Sequence, residues 1–284
     1  MELTQNMQKT ERIKFEMFPF GKNWHKFLKK LNEERIESAK HSLIAILGRS
    51  DLRGCRFLDA GCGSGLFSLA ALRLGAAEVV SFDADKDSVA CTQYLRDRFG
   101  PFPNWKINLG SVLDRDWMIR LGKFNIVYSW GVLHHTGSMR QALNNIILPV
   151  ASEGTLFISI YNDQGIVSKL WKFIKWLYNI VPRPVKFIMA ADYYLFVLIL
   201  KTVQGISSFQ SPSLWYNYGA ERGMDLWHDS VDWIGGYPFE TATPLEIIRF
   251  FEIHDFSVIN MIRKSGMGCN EFVFKRSAKK KTHD

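Results

Sequence analysis

Apolar and polar positions alternate along this chain in two rhythms. Between Trp24 and Leu47, the residues Leu28, Leu31, Ile36, Leu43, Ile44 and Leu47 recur at helical spacing, and Gly48 stops the run. From Arg56 the rhythm shortens. Arg56–Asp59 reads as a buried strand, Gly65–Leu74 as a helix closed by Gly75, Glu78–Phe82 as a second strand, and Ser88–Phe99 as a second helix broken by Gly100-Pro101. Strands three to five are expected at Trp105–Leu109, Phe124–Ser129 and Thr155–Ile160, with a helix over Ser138–Ile147. The rhythm stops after Ile160 and resumes at Pro244 with a helix to about His254, then strands at Phe256–Ile262 and Cys269–Lys275. Strands alternating with helices predict a parallel sheet covered on both faces, and right-handed crossovers make it doubly wound.

This pattern divides the chain into five parts. Residues 1–48 form an N-terminal segment and helix, and residues 49–162 the cofactor-binding core. Residues 163–243 are a helical, aromatic insertion, residues 244–276 complete the core, and residues 277–284 are a basic tail.

Composition adds little to fold and something to function. The 284 residues are 47% hydrophobic and 23% charged, which suits a packed core. Four scattered cysteines without a CxxC pair argue against a zinc site or a disulfide scaffold. The polar start Met1-Glu2-Leu3-Thr4 has no apolar signal core, so the cytoplasm is the expected compartment. The net charge of +8 suits nucleic acid, anionic lipid, an acidic substrate, or simply a soluble surface, and part of it sits in the tail Lys279-Lys280-Lys281.

The chemistry concentrates at the first strand–helix turn, Asp59-Ala60-Gly61-Cys62-Gly63-Ser64-Gly65. Glycines there allow a tight turn and close approach of a ligand to the backbone. Nicotinamide enzymes use G-x-G-x-x-G with a pyrophosphate on the helix N-terminus. Here the spacing is G-x-G-x-G behind an acidic residue, and Asp59 would repel a pyrophosphate but suit a cofactor carrying an ammonium and a sulfonium. The second strand ends at Asp83, where a carboxylate meets ribose hydroxyls in Rossmann-type sites.

The D-x-G-x-G-x-G pattern resembles motif I of class I methyltransferases that use S-adenosylmethionine (SAM). Gly110-Ser111-Val112-Leu113-Asp114 and Asn125–His135, which includes Trp130 and Leu133-His134-His135, are similar to later motifs of that superfamily. The resemblance implies a Rossmann-like seven-stranded α/β sheet, mostly parallel with the last strand antiparallel, and a helical insertion after strand five. It also implies SAM as cofactor, held by Asp59, Gly61, Cys62, Gly63, Gly65, Asp83, Ala84, Ser111, Val112 and Trp130. Ser111 stands where many members carry an acid, which leaves the adenine contact to the backbone of Val112. Leu133-His134-His135 is most similar to polyprenyl-phenol (ubiquinone-pathway) O-methyltransferases. Gly223–Asp229 and Val231–Glu240 resemble a bacterial subgroup of these enzymes.

The insertion is where acceptor contacts are expected, because function sits on segments grafted onto a fold. Residues 168–204 mix apolar and basic positions; the apolar run Phe187–Leu200 is shorter than the ~20 residues a bilayer span needs. A site cap, a homodimer contact and a peripheral membrane contact at the inner face are the readings of that segment. Trp227–Glu240 reads as a lid or substrate loop with an acid–base pair, or as a surface loop with buried aromatics. His135, His228 and Asp232 are the candidate catalytic residues. His228 and Asp229 are too few to hold a metal, and none is expected.

The expected activity is methyl transfer to an oxygen of a small-molecule or lipid-linked acceptor. An RNA or protein methyltransferase, an NAD(P)-dependent oxidoreductase and an inactive SAM-binding scaffold are the alternatives. Nucleic acid is disfavoured because the basic residues are mixed with long apolar runs.

Overall fold

The computed structural model describes residues 20–207, 226–266 and 268–278. Gly223, Met224, Asp225 and the lysines of the tail lie outside the described residues, as do the side chains of His228, Asp229 and Asp232. Seven strands make one sheet in the order β3-β2-β1-β4-β5-β7-β6. They are β1 (Arg56–Ala60), β2 (Glu78–Asp83), β3 (Trp105–Leu109), β4 (Phe124–Ser129), β5 (Val150–Tyr161), β6 (Phe256–Ile262) and β7 (Cys269–Arg276). The first five are parallel, and β7 runs antiparallel to both β5 and β6. This is the expected doubly wound, Rossmann-like sheet with its last strand reversed.

Strand side chains alternate between two cores. Phe57, Val79, Ile126, Tyr128, Phe157 and Val273 face one of them. It is covered by α1 (Phe20–Lys29), α2 (Glu33–Leu47), α3 (Leu66–Arg73) and α4 (Lys86–Phe99). Leu58, Val80, Val127, Leu156, Phe272 and Phe274 face the other. That side is covered by α5 (Arg115–Arg120), α6 (Met139–Ile146) and α10 (Pro244–Glu252). Both faces being covered explains why β1, β2 and β4 read as continuous apolar runs.

A third, smaller cluster lies in the insertion. Here α7 (Ile166–Ile180), α8 (Arg183–Ser207) and α9 (Leu226–Gly235) share Tyr178, Ala190 and Ile234. The chain then returns beside β5, where Asn162 bridges Ala242.

The single helix expected over residues 24–47 is two. Asn32 breaks it: its side chain accepts a hydrogen bond from Arg35 N and caps α2, which ends at a left-handed Gly48. The break lets α1 turn away from α2 and pack on α4. Gly21 N donates to Asp85 Oδ2 at 2.8 Å, which fixes the start of α1 beside the end of β2. Replacing Asn32 with Ala is expected to lower stability by about 1 kcal/mol in urea unfolding, and with Gly by only a few tenths. Equal losses for the two variants would mean the cap does not hold α2.

Candidate functional site

The carboxyl ends of β1, β2 and β4 open into a cavity of about 900 Å³. Its donor end is the glycine turn. Gly61, Gly63 and Gly65 all adopt positive φ, at 82°, 53° and 79°. Gly61 has a second constraint, since a Cβ there would stand 2.2 Å from Val132 Cγ2. Gly65 serves packing instead. It heads α3, a Cβ on it would meet Thr92, and it does not line the cavity.

Four of the turn's N–H groups are already committed. Gly61 N and Cys62 N both donate to Phe82 O, at 2.8 and 3.0 Å, and Gly65 N donates to Cys62 O. Gly63 N donates to Asp83 Oδ2 at 3.0 Å. A pyrophosphate needs such groups free, so this turn is not built for a dinucleotide. It is lined with negative charge instead: Asp59, Asp83 and Glu271 all border the cavity.

Asp59 is the most constrained of the three, at 3% exposed. Its Oδ2 accepts from Ser68 Oγ at 2.5 Å. Ser68 Oγ lies 2.7 Å from Ser81 Oγ, which accepts from Trp105 Nε1 at 2.7 Å. Burial nonetheless pushes the Asp59 carboxyl up to about 7; the Ser68 hydrogen bond opposes this and the nearby Asp83 adds to it. Burial also raises Asp83, against the backbone N–H groups of Asp85 and Gly63. A buried and a half-buried carboxylate without a described cation between them suit a ligand that brings positive charge. The residues therefore fit SAM, whose ammonium and sulfonium Asp59 would face and whose ribose Asp83 would hold.

Every other donor-end residue expected from the sequence, Cys62, Ala84, Ser111, Val112 and Trp130, borders the same cavity. Cys62 is buried and its thiol is pushed well above the usual range by desolvation, so it is no nucleophile. The helix cap beside Asp83 is supplied by Asp85, which accepts from Asp87 N and heads α4. Trp24 of α1 lies over the turn, and a Cβ on Gly63 would stand 2.9 Å from its Nε1.

The far end of the cavity is aromatic: Phe20, Trp130, Tyr161, Tyr193 and Trp233 line it with His134 and His135. His134 Nδ1 is 3.2 Å from Ser159 O and His135 Nδ1 is 2.7 Å from Pro238 O. A carbonyl only accepts, so each Nδ1 carries the proton and each Nε2 keeps the lone pair. Desolvation lowers both imidazoles, His135 to about 3, with the Lys175 charge adding to the effect on it. Lys175 is fully buried behind this wall, with Nζ 4.5 Å from the Trp233 ring centroid and 4.9 Å from that of Phe239; it donates to Trp233 O.

His228 and Asp232 fall on α9, the helix that brings Trp233 and Ser230 to the cavity; their side chains are outside the described residues. Glu240 works structurally: its carboxylate accepts from Met139 N at the start of α6. Sequence reasoning passed over Phe20, Trp24, Tyr193 and Glu271. Glu271 Oε1 accepts from Trp130 Nε1 at 2.9 Å across 141 residues, and no local pattern marks such a pair.

Asp59 ties this geometry to stability. Its folded pKa is raised, so its contribution is fully present below the unfolded value of ~3.9 and is lost as pH rises through about 7. Asp59→Asn is expected to raise the melting temperature at pH 8, with a gain that shrinks toward pH 4. The gain should be on the order of a few kcal/mol; a pH-independent effect of D59N would contradict the buried-charge assignment.

Comparison with known proteins bears on family and fold. A family model described as a methyltransferase domain matches residues 23–225. The ribosomal protein L11 methyltransferase of Xanthomonas campestris pv. campestris is 50% identical over 56 residues, 20% of this chain and 18% of that protein. The tRNA U34 carboxymethyltransferase of Pseudomonas paraeruginosa is 35% identical over 92 residues, 31% of this chain and 26% of that protein. The chain thus spans about a quarter or less of the length of these curated relatives. Among solved structures, magnesium protoporphyrin IX methyltransferase from Synechocystis with bound SAH superposes with a TM-score of 0.51 at 15% identity, covering 88% of this chain and 86% of that one. That likeness shows the fold. With the family match running over well over half of its length, the chain belongs to the methyltransferase-domain family, whose methyl donor is SAM.

Proposed function

We propose that this protein transfers the methyl group of SAM to an oxygen of an apolar, hydroxyl-bearing small-molecule or lipid-linked acceptor. The observation that carries the reading is a pair of orphaned polar atoms. Among the described residues, three buried side-chain N or O atoms lack a hydrogen-bond partner: Trp117 Nε1, His134 Nε2 and Trp233 Nε1. Two of those residues, His134 and Trp233, line the aromatic end of the cavity, and both rings pack on Tyr161. One is an acceptor and the other a donor, the complement of a hydroxyl group. Leaving each unpaired costs ~1–3 kcal/mol, so a ligand that satisfies both is favoured there.

Charge supports the same reading. Among the described lining residues the cations are Arg35 and Lys86, from α2 and α4 beside the glycine turn. The aromatic end has no described Lys or Arg to meet a phosphate backbone, which disfavours RNA. The L11 and tRNA enzymes match only short stretches and carry no acceptor to this chain. The similarity of Leu133-His134-His135 to polyprenyl-phenol O-methyltransferases points to a phenol-like hydroxyl.

When bound, SAM supplies a methyl group on a sulfonium, already a good leaving group. The chain's residues then provide alignment, exclusion of water and a destination for one proton. Asp59 and Asp83 hold the donor at the glycine turn. Trp24 covers it, and Trp130, fixed by Glu271, lines the aromatic end with Phe20. The acceptor's single O–H hydrogen goes to the His134 Nε2 lone pair as the oxygen is alkylated, while His135, held neutral by desolvation, lines the same wall. A weak base suffices, because an alkylated hydroxyl is a strong acid.

Two outcomes are expected. With labelled SAM and cell extract separated into lipid, small-molecule, RNA and protein fractions, label should appear in a lipid or small-molecule fraction; label confined to RNA or protein would overturn the reading. Trp233→Phe, which removes one donor and keeps the ring, should raise acceptor KM by roughly three- to tenfold with SAM affinity unchanged. An unchanged KM would mean Trp233 does not touch the acceptor.

A further inference from the structure

The two long helices of the insertion are built inside out. On α7 the buried residues include Ser168, Lys175 and Tyr178, while Ile166, Leu170 and Phe173 are exposed, Ile166 by 82%. A helix on the surface of a water-soluble domain shows the opposite arrangement. Helix α8 continues it: Ala190 is buried, whereas Phe187, Leu195 and Ile199 are exposed, Phe187 by 64%. Together α7 and α8 carry twelve of the twenty exposed large apolar side chains among the described residues. Both helices pack on α9 through the small third cluster, so these apolar faces lie on the side away from it. So large an exposed apolar surface marks a docking site.

We infer that the outer face of α7–α8 lies on a lipid surface with anionic headgroups. Charge selects this occupant. Over residues 166–200 the chain has Lys169, Lys172, Lys175, Arg183 and Lys186 against one acid, Asp192. Lys175 is buried; Lys169, Lys172 and Arg183 are exposed and Lys186 is half-buried. A second copy docked by the same face would set like charges together, whereas an anionic bilayer neutralises them and accepts the apolar side chains. No described helix is long and apolar enough to cross a membrane, so the pair lies in the interface. The opposite side of α8 reaches the site: Tyr193 and Val197 line the aromatic end of the cavity. One helix thus faces lipid with Leu195 and Ile199 and the acceptor space with Tyr193 and Val197, which lets a bilayer-dissolved acceptor enter without crossing water.

The test is flotation of the full chain with vesicles of phosphatidylcholine alone and of phosphatidylcholine mixed equally with phosphatidylglycerol. Binding is expected to the mixed vesicles, to be much weaker to phosphatidylcholine alone, and to fall as salt is raised. Leu170→Ser, Phe173→Ser and Ile199→Ser combined should cut partitioning more than tenfold. Lys169→Gln with Lys172→Gln should cut it by about fivefold per lysine. All these side chains are exposed, so the SAM-induced rise in melting temperature should persist in both variants and shows that they fold. Failure of the wild type to bind the mixed vesicles would overturn the inference. So would unchanged binding by the triple serine variant, or a dimer that the triple variant dissociates in a chain that ignores vesicles. Vesicle binding uses no methyl acceptor, so its failure leaves the acceptor assignment standing, and the converse also holds.

Discussion

Two groups at the end of β2 hold the site together. The Phe82 carbonyl accepts from Gly61 and Cys62, and the Asp83 carboxylate accepts from Gly63. These bonds stitch the turn after β1 to its neighbouring strand, and they use up the N–H groups that could have bound an anion. The left-handed backbone of Gly61 and Gly63 costs glycine little, and these bonds fix it. With four of its amides committed, the turn presents mainly the carboxylates of Asp59 and Asp83 to the cavity. The choice of a cationic methyl donor follows from backbone hydrogen bonding as much as from the acidic side chains.

The same economy shapes the rest of the molecule. Asp59 sits at the end of a buried hydrogen-bond chain through Ser68 and Ser81 to Trp105, which orients it without neutralising it. Its ionised form is costly in the empty protein, an instance of stability given up for function. At the other end of the cavity, His134 and Trp233 keep buried polar atoms unpaired. The fold supplies the two ends from different sources: strand ends of the sheet carry the glycine-turn end, and α8 and α9 add Tyr193, Ser230 and Trp233 to the aromatic end. The insertion's buried Lys175, enclosed by Tyr161, Trp233 and Phe239, anchors α9 to that wall.

What the amino-acid pattern revealed was what is local. Left-handed glycines, a carboxylate two residues before them and a second at the next strand end are constraints on short segments, and they named the donor end. The sheet was legible because its strands are buried on both faces and read as apolar runs. Helix α5, six residues long, has too few turns to show a period, and the start of β5 was obscured by Ser152, Glu153 and Gly154. Asn32 sits within an apparently continuous period and breaks it by capping, a role its spacing does not announce. The aromatic wall and the long-range contacts were the least visible part. Trp130 meets Glu271, His135 meets Pro238 and Gly21 meets Asp85 only through the fold, across 141, 103 and 64 residues. Of two adjacent histidines on one turn, the sequence offered no way to see that both would protonate Nδ1 against carbonyls.

The central claim is that the buried Asp59 and the half-buried Asp83, at a turn with four committed amides, hold a cationic donor. It is tested most directly by calorimetric titration of SAM at pH 6 and pH 8, in the wild type and in Asp59→Asn, with NAD as the control ligand. The ratio of wild-type to variant affinity cancels the ionisation of the donor's own amine. Asp59 titrates at about 7 and only its carboxylate attracts the cation, so that ratio should rise about tenfold from pH 6 to pH 8. A ratio that does not change with pH, or heat of binding from NAD in place of SAM, would contradict the account.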